Sequence, residues 1–215
     1  MVLGVPKFRK FRKAVDNVSN VRNKTLIILH YLTAARVSDI ITKTSPWERE
    51  HRQTRPFGTN LNFGMERIKR DKKFAVLLIN VPLARRLGNP NLENFRVVAL
   101  PCDLDFEPWS LDLLRYLSAN KRLSFDLTRQ RVGQIVKNDL GMLDSNVSPN
   151  KLRVYRISHL VKEYGFDQID LMAYLGIPMK LSRELADLNL PDISPDLSWK
   201  RYFPKLLKPF FQNSK

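Results

Sequence analysis

Two short runs of β-branched and apolar residues, at 73–81 and 95–101, interrupt a sequence whose pattern is otherwise helical. The segment between them carries Gly88, Asn89 and Pro90, which are residue types that dominate turns. Runs of this length and composition predict strands, and a turn between them predicts an antiparallel pair. Any fold for this chain must therefore place a small antiparallel sheet among helices.

Helical periodicity is predicted on both sides of this sheet. One helical region covers about 21–44 and has a break near 33–36. Residues 45–64 are polar and rich in Pro, Gly, Asn and Arg, which predicts a long connection. Four further helices follow the sheet, at about 107–119, 127–141, 150–164 and 167–175. The expected fold class is α+β, mainly α, with the small sheet inserted between helices of one domain.

The balance of charge indicates an anionic partner. The 215 residues include 37 Lys and Arg against 21 Asp and Glu, which gives a formal net charge of +16. On a chain with 43% hydrophobic residues, this charge predicts a folded protein that binds a polyanion. We expect nucleic acid as the first candidate partner and an anionic membrane as the second. The alternative is a protein that is basic but does not recognise a nucleic-acid sequence.

Several classes of protein are disfavoured by what the sequence lacks. No apolar run approaches the roughly 18 residues of a transmembrane helix, and no secretory signal is recognised. Cys102 is the single cysteine, which excludes an internal disulfide and a cysteine-based zinc site. The three histidines do not have a metal-ligand spacing. We therefore expect an intracellular protein of the cytoplasm or nucleoid that binds no membrane and needs no metal or cofactor.

The stretch from 29 to 40, Leu-His-Tyr-Leu-Thr-Ala-Ala-Arg-Val-Ser-Asp-Ile, is the first candidate for a functional site. It predicts an apolar helix that ends at Ala34 and Ala35, followed by Arg36 and by a Ser38–Asp39 pair able to begin a second helix. An arginine at such a junction is placed to meet a phosphate. Pairing with Asp39 or capping of the first helix explains the same residue equally well.

Two segments resemble the signature boxes of the tyrosine recombinases, the phage-integrase family. Residues 32–39, Leu-Thr-Ala-Ala-Arg-Val-Ser-Asp, resemble the Leu-Thr-Gly-x-Arg-x-Ser-Glu box that carries the first catalytic arginine. Residues 149–153, Pro-Asn-Lys-Leu-Arg, are similar to the His-x-Leu-Arg segment that carries the second. Gly165 and the Leu-Gly pair at 175–176 follow at close to the family's spacing. The order of these motifs and the intervening hairpin extend the resemblance over about 20–205.

This resemblance implies a particular chemistry. In the family, a tyrosine hydroxyl attacks a DNA phosphodiester and forms a phosphotyrosine, and arginines rather than a metal neutralise the phosphate. Arg36 and Arg153 would clamp the phosphate, Tyr202 would attack it, and Lys73 would protonate the leaving oxygen. The expected partner is double-stranded DNA, with self-association on DNA left open. The residues expected to bind DNA phosphates are Arg36, Arg85, Arg86, Asn150, Arg153 and Arg156.

The chain also departs from the family pattern. Asn150 stands where the second box has histidine, and Ile177 stands where the family has histidine or tryptophan. No tyrosine occurs between Gly176 and Trp199, so Tyr202 is the only tyrosine left in the tail. These departures keep two hypotheses open on the same fold, an active recombinase and a catalytically inactive DNA-binding protein of architectural or regulatory function. A basic RNA-binding protein is the hypothesis from outside the family.

Three parts of the chain are distinguished on this interpretation. Residues 1–19 form a basic amino-terminal arm around Phe8 and Phe11, which would lie along a phosphate backbone or be a solvated terminus. Residues 20–198 form a recombinase-like catalytic domain. Residues 199–215 form a basic and aromatic carboxy-terminal tail.

Overall fold

The computed structural model describes residues 5–41, 62–70, 72–82, 95–120, 125–175 and 195–207. Within these ranges the chain forms helices α1 to α8 and strands β1 to β3. In chain order they are α1 (Phe8–Asp16), α2 (Val21–Thr33), α3 (Val37–Ile40), β1 (Asn62–Arg70), β2 (Lys72–Pro82), β3 (Phe95–Cys102), α4 (Pro108–Asn120), α5 (Arg129–Leu140), α6 (Pro149–Lys162), α7 (Gln168–Leu175) and α8 (Pro195–Leu206).

The predicted class, α+β and mainly α, is confirmed. The three strands form one antiparallel sheet in the order β1-β2-β3. Strands β2 and β3 correspond to the two predicted runs, and they pair with Leu77 opposite Leu100 and Val81 opposite Arg96. The predicted break in the first helical region separates α2 from α3. The part of that region beyond residue 41, and the predicted connection up to residue 61, lie outside the described residues.

Strand β1 was not predicted from the sequence. It pairs with β2 alone, with Met65 opposite Leu77, and is therefore an edge strand. Edge strands carry charged residues that discourage pairing with other chains, and β1 contains Glu66, Arg67 and Lys69. This polar composition resembles that of the preceding segment, which is why the strand was assigned in part to a connection.

Strand β3 lies at the centre of the packing between the sheet and the helices. Its consecutive residues from Val97 to Leu100 are all buried, which requires cover on both faces of the strand. Helices α4, α7 and α8 supply contacts with it. The strand therefore joins the sheet to helices that follow it in the chain.

One hydrophobic core contains residues of the predicted arm, domain and tail, which corrects their division into separate parts. Phe8 and Phe11 of α1 are buried in the same core as Tyr202 and Phe203 of α8. The Phe11 ring lies 4.6 Å from the Tyr31 ring, centre to centre, and 5.8 Å from the Trp109 ring. Apolar residues at helical spacing hold both ends of the described chain against the domain, because burying them stabilises the fold.

None of the helices in the described ranges combines the length and the apolar character that a bilayer-spanning segment requires. The same ranges contain no group of three or more His, Cys, Asp or Glu residues placed to hold a metal ion.

A basic pocket at the start of helix α6

A cavity of about 400 Å³ lies where three helix beginnings meet. It is lined by the α2–α3 junction, by the first turns of α5, and by the residues around the start of α6. The lining residues are Arg36, Val37, Ser38, Arg129, Gly133, Ser148, Pro149, Asn150 and Arg153. The structure thus brings together Arg36, Asn150 and Arg153, three of the predicted site residues, from distant parts of the sequence. We call this cavity the basic pocket.

Arg36 is presented by a tightly held junction. Ala34 ends α2 with a left-handed backbone, at φ 47° and ψ 30°. The Thr33 hydroxyl donates to the Leu29 carbonyl at 2.6 Å and accepts from the Ala35 N–H at 3.2 Å. The Asp39 carboxylate accepts a hydrogen bond from the Arg36 N–H at 2.8 Å and so begins α3. Asp39 therefore holds the main chain of Arg36, while the Arg36 side chain is exposed.

The first turn of α6 presents Asn150 and Arg153. Ser148 caps the helix, since its hydroxyl accepts from the Lys151 N–H at 3.3 Å and its carbonyl accepts from the Leu152 N–H at 3.1 Å. Pro149 has no N–H to satisfy. Among the described residues nothing accepts from the Asn150 N–H, which leaves one main-chain donor at the helix start. A helix amino-terminus also carries a partial positive charge that favours an anion.

The electrostatics of the basic pocket leave positive charge uncompensated. Burial lowers the pKa of Arg153, and the nearby charge of Arg36 lowers it further, whereas Asp39 acts in the opposite direction. Burial also raises the pKa of Asp39, although its hydrogen bond to Arg36 and the charges of Arg36, Arg96 and Arg153 oppose this. No ion pair to the Arg36 or Arg153 guanidinium is formed by the described residues. Two like charges that lie near each other favour the binding of an anion between them.

Arg96 supports this region and was missed by sequence reasoning. It lies on β3, is 4% exposed, and donates to the Thr33 carbonyl at 2.5 Å and to the Tyr174 carbonyl. These carbonyls belong to the last residues of α2 and α7, where the helix dipole favours a cation. Burial lowers the pKa of Arg96 to about 10. Arg96 thus fixes the end of α2 immediately before the Arg36 junction.

Two further residues of the basic pocket, Arg129 and Ser148, were not singled out from the sequence. Both stand at helix starts, Arg129 as the first residue of α5 after the Thr128 cap and Ser148 as the cap of α6. The sequence predicted helices that begin near residues 127 and 150. It carried no information on whether the two boundaries would meet.

The prediction that Arg156 binds a DNA phosphate is wrong. Its side chain is completely buried and pairs with Glu107, the distance from Nη1 to Oε2 being 3.3 Å. Its Nε donates to the Tyr174 hydroxyl at 3.2 Å. The guanidinium also lies over the rings of Tyr31, Tyr164 and Tyr174, at 5.2 to 5.6 Å from their centres. A guanidinium enclosed in this way stabilises the core and cannot reach a ligand.

The assignment of Tyr202 as the nucleophile is corrected as well. Its side chain is 0% exposed, in contact with Phe166 and Tyr174. The hydroxyl donates to the Val97 carbonyl at 2.9 Å and accepts from the Ala99 N–H at 3.1 Å. Burial raises the pKa of Tyr202, which makes the phenolate harder to form. Tyr202 does not line the basic pocket, and its hydroxyl anchors α8 to β3.

No other tyrosine takes its place. The chain has six tyrosines, all in described ranges, and none of them lines the basic pocket. Four of the others are buried with hydrogen-bonded hydroxyls, in the pairs Tyr31–His159, Tyr155–Asp144, Tyr164–Glu107 and Tyr174–Leu32 carbonyl. Tyr116 is half-buried and stacks on Phe125, with 5.8 Å between the ring centres.

The two described histidines are buried and take no part in the basic pocket. His159 donates from Nε2 to the Pro6 carbonyl at 2.9 Å, so its Nδ1 accepts from the Tyr31 hydroxyl at 2.8 Å. Among the described residues, neither ring nitrogen of His30 finds a hydrogen-bond partner. Burial lowers the pKa of each histidine to about 4, so both are neutral at pH 7.

Three predicted site residues cannot be placed relative to the basic pocket. Lys73 lies on β2, where its backbone pairs with Lys69, but its side chain is outside the described set. Arg85 and Arg86 lie in the segment between β2 and β3, outside the described residues. The family-like Gly176 and the Ile177 that follows it are outside them too.

No family model matches the chain, and neither the curated proteins nor the solved structures give a significant match to it. The resemblance to the tyrosine recombinases therefore rests on the sequence motifs alone.

Proposed function

We propose that this chain is a DNA-binding protein whose basic pocket holds a backbone phosphate, on a tyrosine-recombinase-like scaffold that does not use Tyr202 as a nucleophile in cis. One observation carries the proposal. Arg36 and Arg153, which the motif resemblance assigns to a single phosphate, line the same cavity together with Asn150.

The chemistry of the lining suits a phosphate. A guanidinium offers planar, bidentate donors that match two phosphate oxygens, and it keeps its charge at any physiological pH. Asn150 adds an amide donor, and the start of α6 adds a main-chain N–H and a favourable dipole. Because several phosphate contacts together dominate affinity for DNA, a net charge of +16 reinforces one anchored phosphate.

The placement of the tyrosines favours binding without cleavage. A phosphotyrosine mechanism needs a hydroxyl within hydrogen-bond reach of the phosphate, and five of the six tyrosine side chains are buried in internal contacts. Asn150 can donate a hydrogen bond but cannot transfer a proton, so it does not replace the family's histidine in catalysis. These features support the catalytically inactive hypothesis over the active one.

Binding is tested by fluorescence anisotropy with a labelled duplex. We expect Arg36→Gln and Arg153→Gln each to weaken binding by about 5- to 30-fold, which corresponds to roughly 1–2 kcal/mol for a lost charged hydrogen bond. The matched control is Arg115→Gln, which removes the same charge from a side chain that is 77% exposed on α4. Equal effects of all three variants would contradict a localised phosphate site.

Unlabelled competitors decide the class of nucleic acid in the same assay. Duplex DNA is expected to displace the labelled duplex better than single-stranded or structured RNA at the same salt concentration. Stronger competition by RNA would favour the RNA-binding hypothesis instead.

Recombinase-type cleavage is the second candidate, because two arginines on one phosphate would also activate it for attack. A suicide DNA substrate that carries the chain's own target sequence would trap a covalent adduct if any tyrosine attacks. We expect no adduct. An adduct that disappears in Tyr202→Phe would require a different arrangement of α8, such as delivery of the tyrosine to a neighbouring chain.

A further inference from the structure

Helix α5 contains a glycine that its backbone conformation does not require. Gly133 lies in the interior of this helix, where glycine is among the least favourable residues because its backbone loses the most freedom on folding. Its φ is not positive, and among the described glycines that conformation belongs to Gly165, at φ 68°. The reason for a glycine at this position must therefore be sought outside the geometry of the helix.

Close packing does not explain Gly133 either. Apart from its chain neighbours and the backbone of its own helix, the described chain has no heavy atom within 4 Å of a Cβ added to Gly133. Gly141, just after the same helix, is the opposite case, because a Cβ there would collide with the Lys137 carbonyl oxygen. Gly141 is thus needed where two parts of the backbone approach each other, whereas Gly133 faces open space.

The open space beside Gly133 is the basic pocket. Gly133 lines this cavity together with Arg129, which stands one turn earlier on the same face of α5. The cavity volume of about 400 Å³ falls within the range of about 300–1,000 Å³ that small-molecule sites occupy, so it holds more than a phosphate group alone. A side chain at position 133 would lean towards Arg129 and into this cavity, because helical side chains point towards the helix start.

A backbone phosphate needs this space. In a continuous DNA strand each phosphate is joined to a sugar on both sides, so Arg36 and Arg153 can reach it only if the sugars fit beside them. Glycine is the residue that allows a protein backbone to approach a ligand closely. Its missing side chain lets α5 form a wall of the cavity without narrowing it.

We propose that Gly133 is a specificity-determining residue of the basic pocket, whose missing side chain leaves room for the sugar–phosphate backbone of a continuous DNA strand beside Arg36 and Arg153. The inference rests on the proposed function, and it adds a requirement of shape to the requirement of charge at that site.

The test is a series of side chains of increasing size at position 133, measured by fluorescence anisotropy with the labelled duplex. Gly133→Ala places a methyl group in open space, so the duplex affinity should remain close to that of the wild type. Its melting temperature should rise by about 1–4 °C, because alanine is the better helix former.

Gly133→Leu fills the space and should weaken duplex binding by about 5- to 30-fold, the range expected for the loss of one charged hydrogen bond. It should also reduce the steepness of the salt dependence by about 1, although no charge is removed, because one phosphate contact is lost. If the leucine variant does not fold, Gly133→Met gives the same test, since both side chains favour a helix equally.

The matched control is Asn138→Leu, which places the same side chain at an exposed position of α5. At about 100° per residue, position 138 lies about 140° around the helix from position 133. This variant should leave both the duplex affinity and the salt dependence unchanged. Thermal melting checks that both leucine variants are folded.

A combination with Arg36→Gln/Arg153→Gln shows whether Gly133 acts through the basic pocket. Gly133→Leu should weaken binding little further in this background, because the variants remove the same phosphate contact. Weakening that persists at full size would overturn the inference, since the leucine would then act outside the pocket. A lower melting temperature in Gly133→Ala would also overturn it, because the glycine would then serve the fold.

The arginine variants separate this inference from the proposed function. Wild-type affinity in Gly133→Leu, with weaker binding in Arg36→Gln and Arg153→Gln, would overturn the inference and leave the phosphate site standing. Unchanged binding in all of these variants would overturn the proposed function, and the inference with it.

Discussion

Arg153 and Arg156 are one helical turn apart on α6, and their surroundings are opposite. Arg156 is enclosed by three tyrosine rings and neutralised by Glu107. Arg153 is half-buried beside Arg36, which has the same charge, and no described residue forms an ion pair with it. A buried charge is tolerated only where its partners are built into the fold. Arg156 therefore belongs to the folding of the chain, whereas the charge of Arg153 is the one that we propose a phosphate neutralises.

The two arginines should respond differently to the same substitution, and this is the largest effect that we expect. Arg156→Met leaves Glu107 buried without its partner, which should lower the free energy of unfolding by about 3–5 kcal/mol. Arg153→Met should lower it by less than about 1 kcal/mol, because no described residue forms an ion pair with the Arg153 side chain. Urea denaturation measures both.

If Arg156→Met does not fold, the stability of the double variant Arg156→Met/Glu107→Leu can be measured in its place. It should recover most of the lost stability, because no unpaired buried charge is left at these two positions. Similar losses for Arg153→Met and Arg156→Met would show that the contrast between the two arginines is wrong.

The next largest effect that we expect is a fall in the free energy of unfolding in acid, caused by the two buried histidines. Burial lowers the pKa of His30 and of His159 from the usual histidine value of about 6.5 to about 4 in the folded protein. Between these values the unfolded chain binds more protons, so the free energy of unfolding falls as the pH decreases from 6.5 to 4. The fall is at most about 1.4 kcal/mol per pH unit for each histidine.

Asp39 and Glu107, whose pKa values are raised by burial, oppose this trend. The informative quantity is therefore the difference between the wild type and His30→Leu, measured by urea denaturation at several pH values. The variant should lose stability less steeply on acidification. It should be no less stable than the wild type at pH 7, because the His30 ring forms no hydrogen bond with the described part of the chain. An unchanged slope would contradict the neutral, unpartnered state of His30.

Tyr202→Phe tests whether the tyrosine belongs to the core or to the site. The loss of its hydroxyl leaves the Val97 carbonyl and the Ala99 N–H without their buried partner, which should cost about 1–3 kcal/mol. DNA affinity should stay within twofold. Tyr116→Phe is the control, with an expected change near zero. A loss of DNA binding in Tyr202→Phe without a loss of stability would show that Tyr202 belongs to the DNA-binding site.

The smallest expected effect concerns the junction that carries Arg36. Ala34 adopts a left-handed backbone that disfavours a Cβ by about 1–2 kcal/mol. Ala34→Gly should therefore raise the free energy of unfolding by about 0.5–1 kcal/mol once the greater freedom of glycine in the unfolded chain is included. Ala35→Gly, at a position without positive φ, should lower it. A lower melting temperature in Ala34→Gly would show that the left-handed backbone at Ala34 is not strained.

Much of the fold could be predicted because hydrophobic period and turn residues are local signals. The runs that become β2 and β3, the helix starts near residues 127 and 150, and the break at Ala34 are all visible over a few residues. Strand β1 was missed, since its charged residues do not distinguish an edge strand from a loop.

The candidate site was only partly predictable. The meeting of Arg36 and Arg153 followed from motif resemblance, and no local pattern contains it. The same pattern could not separate Arg153 from Arg156, because their difference depends on Glu107, 49 residues away in sequence. Tyr202 was selected as the last tyrosine of the chain, and its partners on β3 lie more than 100 residues earlier.

The salt dependence of duplex binding tests the central claim most directly. The logarithm of the association constant falls with the logarithm of salt concentration by about 0.9 for each phosphate contact. Because Arg36 and Arg153 hold one phosphate together, Arg36→Gln/Arg153→Gln should reduce the steepness of this line by about 1, while Arg115→Gln leaves it within about 0.5 of the wild type. An unchanged line in the double variant would show that no phosphate is held by Arg36 and Arg153.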